Sequence, residues 1–457
     1  MVAVGVLASA VGLLALPAWA TYGARTSADE PQYLLSALSL WEDGDLDIGD
    51  ELESQRWRDF HEAQLPVQTE PLDDGRTMSP HDPLLPVLLA VPVGLAGWAG
   101  AKALLAVLAG VLAASLVWTA HRRFAVPVQV AAVVVAAAAV GPPLSAYAAQ
   151  VYPELPAALA VTVAAAAITG PLDRRGRWAF LAAVVALPWL SVKYVPVAAA
   201  LAAAGLWRLR SRAAALLAPV VALVVCGVAY VVAHRLLYGG WTVYAAGDHF
   251  VDGELTVMGS DPDYLGRSRR LLGLLVDRDF GLLRWAPVWA LAVPALGALA
   301  RRRPAGTDVL VLPLAAGWAV ATWVALTMHG WWWPGRQVVV VLPLAVLAIA
   351  WWAGQVRAVA RVAAVLGALG AFLWAWLLVD VIVLDDRRLI VDFAQTSNPL
   401  SQLWRLVLPE LRTPVTGDWL RYGAWLVLAG AAAHLGWRSV PETTSPDPRR
   451  TSHAVHA

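Results

Sequence analysis

Apolar runs with almost no polar stripe recur along nearly the whole chain of 457 residues. Each is close to the roughly 20 residues that cross a hydrocarbon core about 30 Å thick. A buried helix of a soluble protein would alternate an apolar face with a polar one at a period of 3.6, and these runs do not. In lipid the backbone must satisfy its own hydrogen bonds, so the runs read as helices. The expected spans are 2–22, 101–120, 127–143, 152–169, 178–192, 195–207, 214–236, 283–300, 308–327, 337–353, 362–384 and 419–437. The fold class is therefore all-α, a polytopic transmembrane helical bundle of about 12 spans, with interfacial helices expected in its first outer loop.

Charge then orients the bundle. Arg122 and Arg123, the Arg174–Arg177 cluster, Arg208 to Arg212, Arg301 to Arg303, and Arg357 with Arg361 fall on alternate connections. By the positive-inside rule these connections, and both termini, are cytoplasmic. The scheme requires the apolar segment Pro83–Trp98 not to cross. Its prolines at 83, 86 and 92 disfavour a straight span, and it reads as a helix dipping into the outer leaflet. Ala18-Trp19-Ala20 has the small-x-small form of a signal-peptide cleavage site, but no basic n-region precedes it and the first helix balances the topology.

Composition agrees: 59% of residues are hydrophobic and 15% charged, too little charge to cover a soluble surface. The single cysteine, Cys226, lies in an apolar run and leaves no internal disulfide. No basic patch with interleaved aromatics points to nucleic acid. The Pro/Ser/Thr-rich tail 438–457 reads as disordered and cytoplasmic, leaving 1–437 as one membrane domain.

The polar material sits on one side, in the outward segments 23–82, 237–282 and 385–418. The first holds 15 acids against four arginines. The run Asp43, Asp45, Asp47, Asp50, Glu51, Glu53 reads as a solvated face. Asp29 and Glu30 differ, because they lie near the end of the first span and precede Pro31 and the amphipathic stretch Tyr33–Trp41. Glu154 heads the fourth span, Lys193 lies at the outer end of the fifth, and Arg336 lies at the outer end of the tenth behind Trp331-Trp332-Trp333. Ionisable groups at membrane depth are costly and mark function. The tryptophan run reads as an interfacial aromatic belt.

In order and placement these pieces resemble the GT-C class of membrane glycosyltransferases, which includes protein O-mannosyltransferases and lipid A aminoarabinose transferases. The resemblance runs over most of the chain. It comprises Ser27-Ala28-Asp29-Glu30-Pro31-Gln32-Tyr33, Gly44-Asp45-Leu46, Ser79-Pro80-His81-Asp82-Pro83, Lys102, the Glu154-topped span, the Lys193 turn, Asp279-Phe280-Gly281 and the Trp331–Arg336 turn. It implies an inverting enzyme that moves a sugar from a polyprenyl-phosphate donor to an acceptor glycan, lipid or protein on the outer face.

By that resemblance Asp29 is the general base, with Glu30 its neighbour and Glu154 the third catalytic acid. A carboxylate within reach can take the proton of an attacking hydroxyl. Lys193 and Arg336 would hold the lipid phosphate, Arg336 through paired hydrogen bonds. His81 and Tyr33 complete the substrate-binding set. Asp29 with Glu154 could also hold magnesium or manganese. Heavy use of Ala, Arg, Val and Gly resembles coding in a GC-rich bacterium, which points to mannose or arabinose donors. The chain departs from some members in lacking a large soluble outer domain at its C-terminal end. Two other readings stay open: a ligase using a polyprenyl-diphosphate-linked glycan, and a non-catalytic lipid-binding or transport protein.

Overall fold

The computed structural model describes all residues except 66–67, 212, 248–249, 252–253, 256–262 and 442–457. Every expected run carries helix. Among the described residues, six helices are long and apolar enough to cross a membrane, and Val2–Leu14, Val128–Ala139 and Glu154–Ile168 are shorter apolar helices. The Ala213–Tyr238 helix leaves Leu217, Val221, Val224, Val225 and Val228 exposed, an apolar band that water would not tolerate and lipid would. The protein is a multi-pass helical membrane protein. Strand among the described residues is one short antiparallel pair, Phe250–Val251 with Glu254–Leu255. The tail beyond 441 lies outside the described residues.

Prolines set most of the departures from the expected boundaries. Helix α1 spans Val2–Leu14, well short of position 22. Pro17 disfavours helical geometry at the residue before it, so the helix closes at Ala15. The chain then turns, and the carbonyls of Trp19 and Ala20 accept from the amides of Leu389 and Ile390, tying two polar loops together. The eighth run divides into Leu282–Trp285, Pro287–Leu291 and Ala292–Arg302, with Ala286 extended ahead of Pro287.

Helix α2 spans Glu30–Glu42 and α3 spans Gly49–Glu53. Helix α4, Leu84–Phe124, joins the Pro83–Trp98 segment to the second span, but the two are separate rods. Ala96 and Gly97 leave helical geometry, Gly97 at φ +57°, which a residue without Cβ adopts without strain. The first rod packs on α2, with Trp41 against Gly94. The second packs on α1, where Gly5 and Gly110 bring the backbones so close that an added Cβ would strike backbone oxygen. Helix α2 is covered on nearly all sides: Glu30 to Ser39 are buried without interruption. A covered helix of this kind holds its N-terminal residues in fixed register against the bundle, and Asp29 stands immediately before it.

Candidate active site

Five segments far apart in sequence converge at the end of the bundle that carries the long polar loops. They are the start of α2, the Ser79–Asp82 turn, the start of the Glu154–Ile168 helix, and the two short 3₁₀ turns Val192–Tyr194 and Arg336–Val341. Gly335 makes the last of these possible. It sits at φ +85°, and an added Cβ would lie 2.6 Å from Leu282. Only glycine lets the chain turn there and deliver Arg336 inward.

Arg336 is the hub. Its Nη2 donates to Asp29 Oδ2 at 2.5 Å, and its Nε donates to Glu154 Oε1 at 3.1 Å. Its guanidinium lies 4.2 Å from the centroid of Tyr152 and 5.0 Å from that of Trp332. Lys193 Nζ donates to the same Glu154 oxygen at 2.7 Å. Glu154 is fully buried and thus anchors both cations from behind, while its second oxygen has no protein partner among the described residues. Such a cluster persists because each buried charge is paired, and removing one partner strands the others.

In front of the hub lies a cavity of about 300 Å³ lined by Asp29, Tyr33, His81, Asp82, Lys193 and Arg336, with Gln68 and Tyr244 at its margin. Asp29 keeps 24% of its side chain exposed and is the more open of the two acids that line this space. Burial alone would raise its carboxyl, but the Arg336 guanidinium and His81 outweigh it and hold the group well below the usual carboxylate range. His81 Nε2 stands 3.8 Å from Asp29, with Nδ1 fixed at 3.0 Å by the Ser79 hydroxyl and the ring against Tyr33.

Asp29, Tyr33, His81, Glu154, Lys193 and Arg336 are thus brought together. Glu30 is not. Its Oε1 accepts from the Val151 amide at 2.7 Å, and its Oε2 accepts from the Ser27 amide at 2.8 Å and the Ser27 hydroxyl at 3.1 Å. It faces away from the cavity and holds the loop before α2 onto the segment before Glu154. Against the expectation of a catalytic acid, Glu30 is fully buried and engaged by backbone amides, a placement suited to positioning the loop. Lys102 likewise donates to a backbone oxygen, that of Arg25, at 2.6 Å.

Asp29 and Glu154 do not fit a magnesium or manganese site, because Arg336 stands between them and takes an oxygen from each. A hard cation needs converging free oxygens, and here a guanidinium already supplies the positive charge.

The aromatic-belt reading of the tryptophan run holds only for Trp331, which is 65% exposed. Trp332 stacks on Arg336, and Trp333 is buried against Trp285, Trp374 and Phe393. The sequence shows Asp82 only as part of the Ser79–Pro83 turn, with no role of its own. In the structure it accepts from Tyr230, His234 and the Val192 amide, at 3.0, 3.0 and 2.8 Å, and so fixes the Lys193 turn.

No family model and no curated protein matches the sequence. A search of solved structures finds the crystal structure of ArnT from Cupriavidus metallidurans bound to undecaprenyl phosphate, with a TM-score of 0.51 and 16% sequence identity. The match covers 96% of this chain and 77% of that one. The GT-C resemblance carried by the ordered motifs is therefore met at the level of the fold: this chain shares the helical membrane architecture of that protein.

Proposed function

We propose that the protein is an inverting glycosyltransferase that moves a sugar from a polyprenyl-phosphate donor to an acceptor hydroxyl on the extracytoplasmic face of the membrane. The observation that carries this reading is the Asp29–Arg336–Glu154–Lys193 cluster at the wall of a polar cavity, set in an ArnT-like fold.

The cluster separates two tasks. Lys193 and Arg336 receive the donor phosphate, with Glu154 holding both cations in place. Asp29 receives the proton of the attacking hydroxyl. In the absence of substrate Arg336 also grips Asp29, and a carboxylate so held is a weak base. When the donor phosphate draws on the same guanidinium, Asp29 loses part of that grip and becomes more basic as the donor is seated. The acceptor oxygen then bonds to the anomeric carbon, the carbon–oxygen bond to phosphate breaks with its electron pair on the phosphate, and the proton passes to Asp29. Attack opposite the leaving group inverts the anomeric centre. No step is assigned to a metal.

An apolar cavity of about 520 Å³ supports a lipid donor. It is lined by residues such as Leu275, Leu282, Trp289, Leu296 and Trp318. Leu282 also lies against Gly335, next to Arg336, so an isoprenoid tail in that cavity would begin beside the phosphate site. The basic connections support an orientation with the opposite end of the bundle, and both termini, in the cytoplasm. The test is direct binding of undecaprenyl phosphate and undecaprenyl diphosphate to the purified protein in nanodiscs. The proposal expects saturable, Arg336-dependent binding of the monophosphate. Binding of the diphosphate alone would move the assignment to a diphosphate-donor ligase.

A further inference from the structure

The acidic run that follows α2 is not a uniformly solvated face. Glu42 is taken by Arg56, with Nη2 donating to Glu42 Oε1 at 2.7 Å. Asp45 Oδ1 accepts from the Ser39 hydroxyl and the Asp47 amide, at 3.0 and 2.9 Å. Asp47 Oδ1 accepts from the amides of Gly49 and Thr77, at 3.1 and 2.8 Å. These three acids are spent on shaping the loop.

Three members of the run behave differently. Asp43, which closes α2, and Asp50 and Glu51 of α3 bring one carboxylate oxygen each within 4.8 Å of one another. Asp43 and Asp50 are exposed, but Glu51 is only 2% exposed, and neither of its oxygens has a hydrogen-bond partner among the described residues. Its nearest electrostatic company is acidic: burial first, then Asp50 and Asp43, push its carboxyl up to about 8. A buried acid with no partner on either oxygen, aimed at two further carboxylates, is costly in its ionised form, so it keeps its proton until a cation among the three displaces it. Arg56, whose field reaches Glu51, is already committed to Glu42.

We propose that Asp43, Asp50 and Glu51 form a binding site for a hard divalent cation, calcium, which pins the far end of α2 to α3. The donors are all oxygen, which suits calcium or magnesium and disfavours softer metals. They come from a loop and the first turn of a short helix, a flexible frame that suits calcium's tolerant geometry better than magnesium's strict octahedron. Asp43 and Asp50 open the site to solvent, so an ion can enter and keep several waters. Three protein ligands of this kind place the affinity in the weak range of extracellular modules, about 10⁻⁴–10⁻³ M. Helix α2 begins beside Asp29 and ends at Asp43, so the ion would brace the same rod that carries the cavity-facing acid. A second converging group, Asp277, His329 and Glu410, does not share this character. Asp277 already accepts from the amides of Asp279, Phe280 and Leu411, and Glu410 accepts from that of Arg412.

The experiment is thermal unfolding of the purified full chain in detergent after chelation, with calcium chloride titrated from micromolar to several millimolar, beside Glu51→Gln and Asp43→Asn. Calcium is expected to raise the native midpoint saturably by roughly 2 °C or more. In Glu51→Gln the calcium response is lost, yet the calcium-free midpoint is at least that of the native protein, because the amide keeps the neutral shape of the protonated acid and cannot ionise beside Asp43 and Asp50. Asp43→Asn, at an exposed position, is expected to keep the fold and weaken the response at least tenfold in calcium concentration. A native midpoint indifferent to millimolar calcium would overturn the site. So would a full calcium response in both variants, or a calcium-free Glu51→Gln protein less stable than the native one, since Glu51 would then be a structural acid.

Discussion

Arg336 and Asp29 lie 307 positions apart in the chain and meet at 2.5 Å, with Glu154 held on the other edge of the same guanidinium. That contact binds the first polar loop to the tenth apolar run, and it couples the group suited to a phosphate to the group suited to a proton. In the proposed mechanism a single arginine therefore links donor binding to base strength.

Arg336→Lys is expected to weaken binding of a polyprenyl-phosphate lipid by about tenfold or more, roughly 1.4 kcal/mol, because an ammonium cannot offer the paired donors of a guanidinium. Lysine keeps the charge between Asp29 and Glu154. Alanine would strand both acids at a cost of about 3–5 kcal/mol and confuse binding with folding. Equilibrium binding in nanodiscs checks this, and native affinity in the lysine variant would remove the phosphate role.

Glu30→Gln separates positioning from chemistry. The amide retains one acceptor oxygen for the Val151 or Ser27 amide and cannot serve both edges as the carboxylate does. The expected result is a loss of about 1–3 kcal/mol in stability, with turnover per folded molecule kept within a few-fold of native. Unfolding midpoints measured beside active-site-normalised rates test it. A collapse of turnover at native stability would return Glu30 to the catalytic set.

Much of this was legible in the sequence, and what was not has a physical reason. Apolar runs announce helices because lipid leaves the backbone no other partner, and the acids and bases near their ends stood out because such groups are expensive there. Glu30 and Asp29 are neighbours in sequence, so nothing local distinguishes them. The difference is made by the amides of Ser27 and Val151, and Val151 lies 121 positions away. Asp82 hid inside a proline turn, and its partners Tyr230 and His234 come from a helix about which the turn carries no signal. Glu51 looked like its solvated neighbours because burial is set by tertiary packing, which an acidic run does not encode.

Stability should depend on acid in a way that Asp29 controls. Its carboxyl is held below its ordinary value of 3.8, so the ionised form favours the folded state. That contribution is fully present above the unfolded value and is lost as pH falls through the folded one. The native protein is therefore expected to lose more thermal stability than Asp29→Asn between about pH 5 and pH 3. Parallel curves for the two proteins would show that the Arg336 contact contributes nothing to folding.

The most direct test of the central claim is transfer of labelled sugar from polyprenyl-phosphate donors, mannose and arabinose among them, by the purified protein in lipid. A cell-envelope extract serves as acceptor, and Asp29→Asn runs alongside. The native protein is expected to transfer sugar, and the variant to bind donor at least as tightly, since Asp29 no longer competes for Arg336, yet transfer at least about 100-fold more slowly. Transfer by Asp29→Asn at the native rate, or none by folded native protein from any monophosphate donor, would contradict the account.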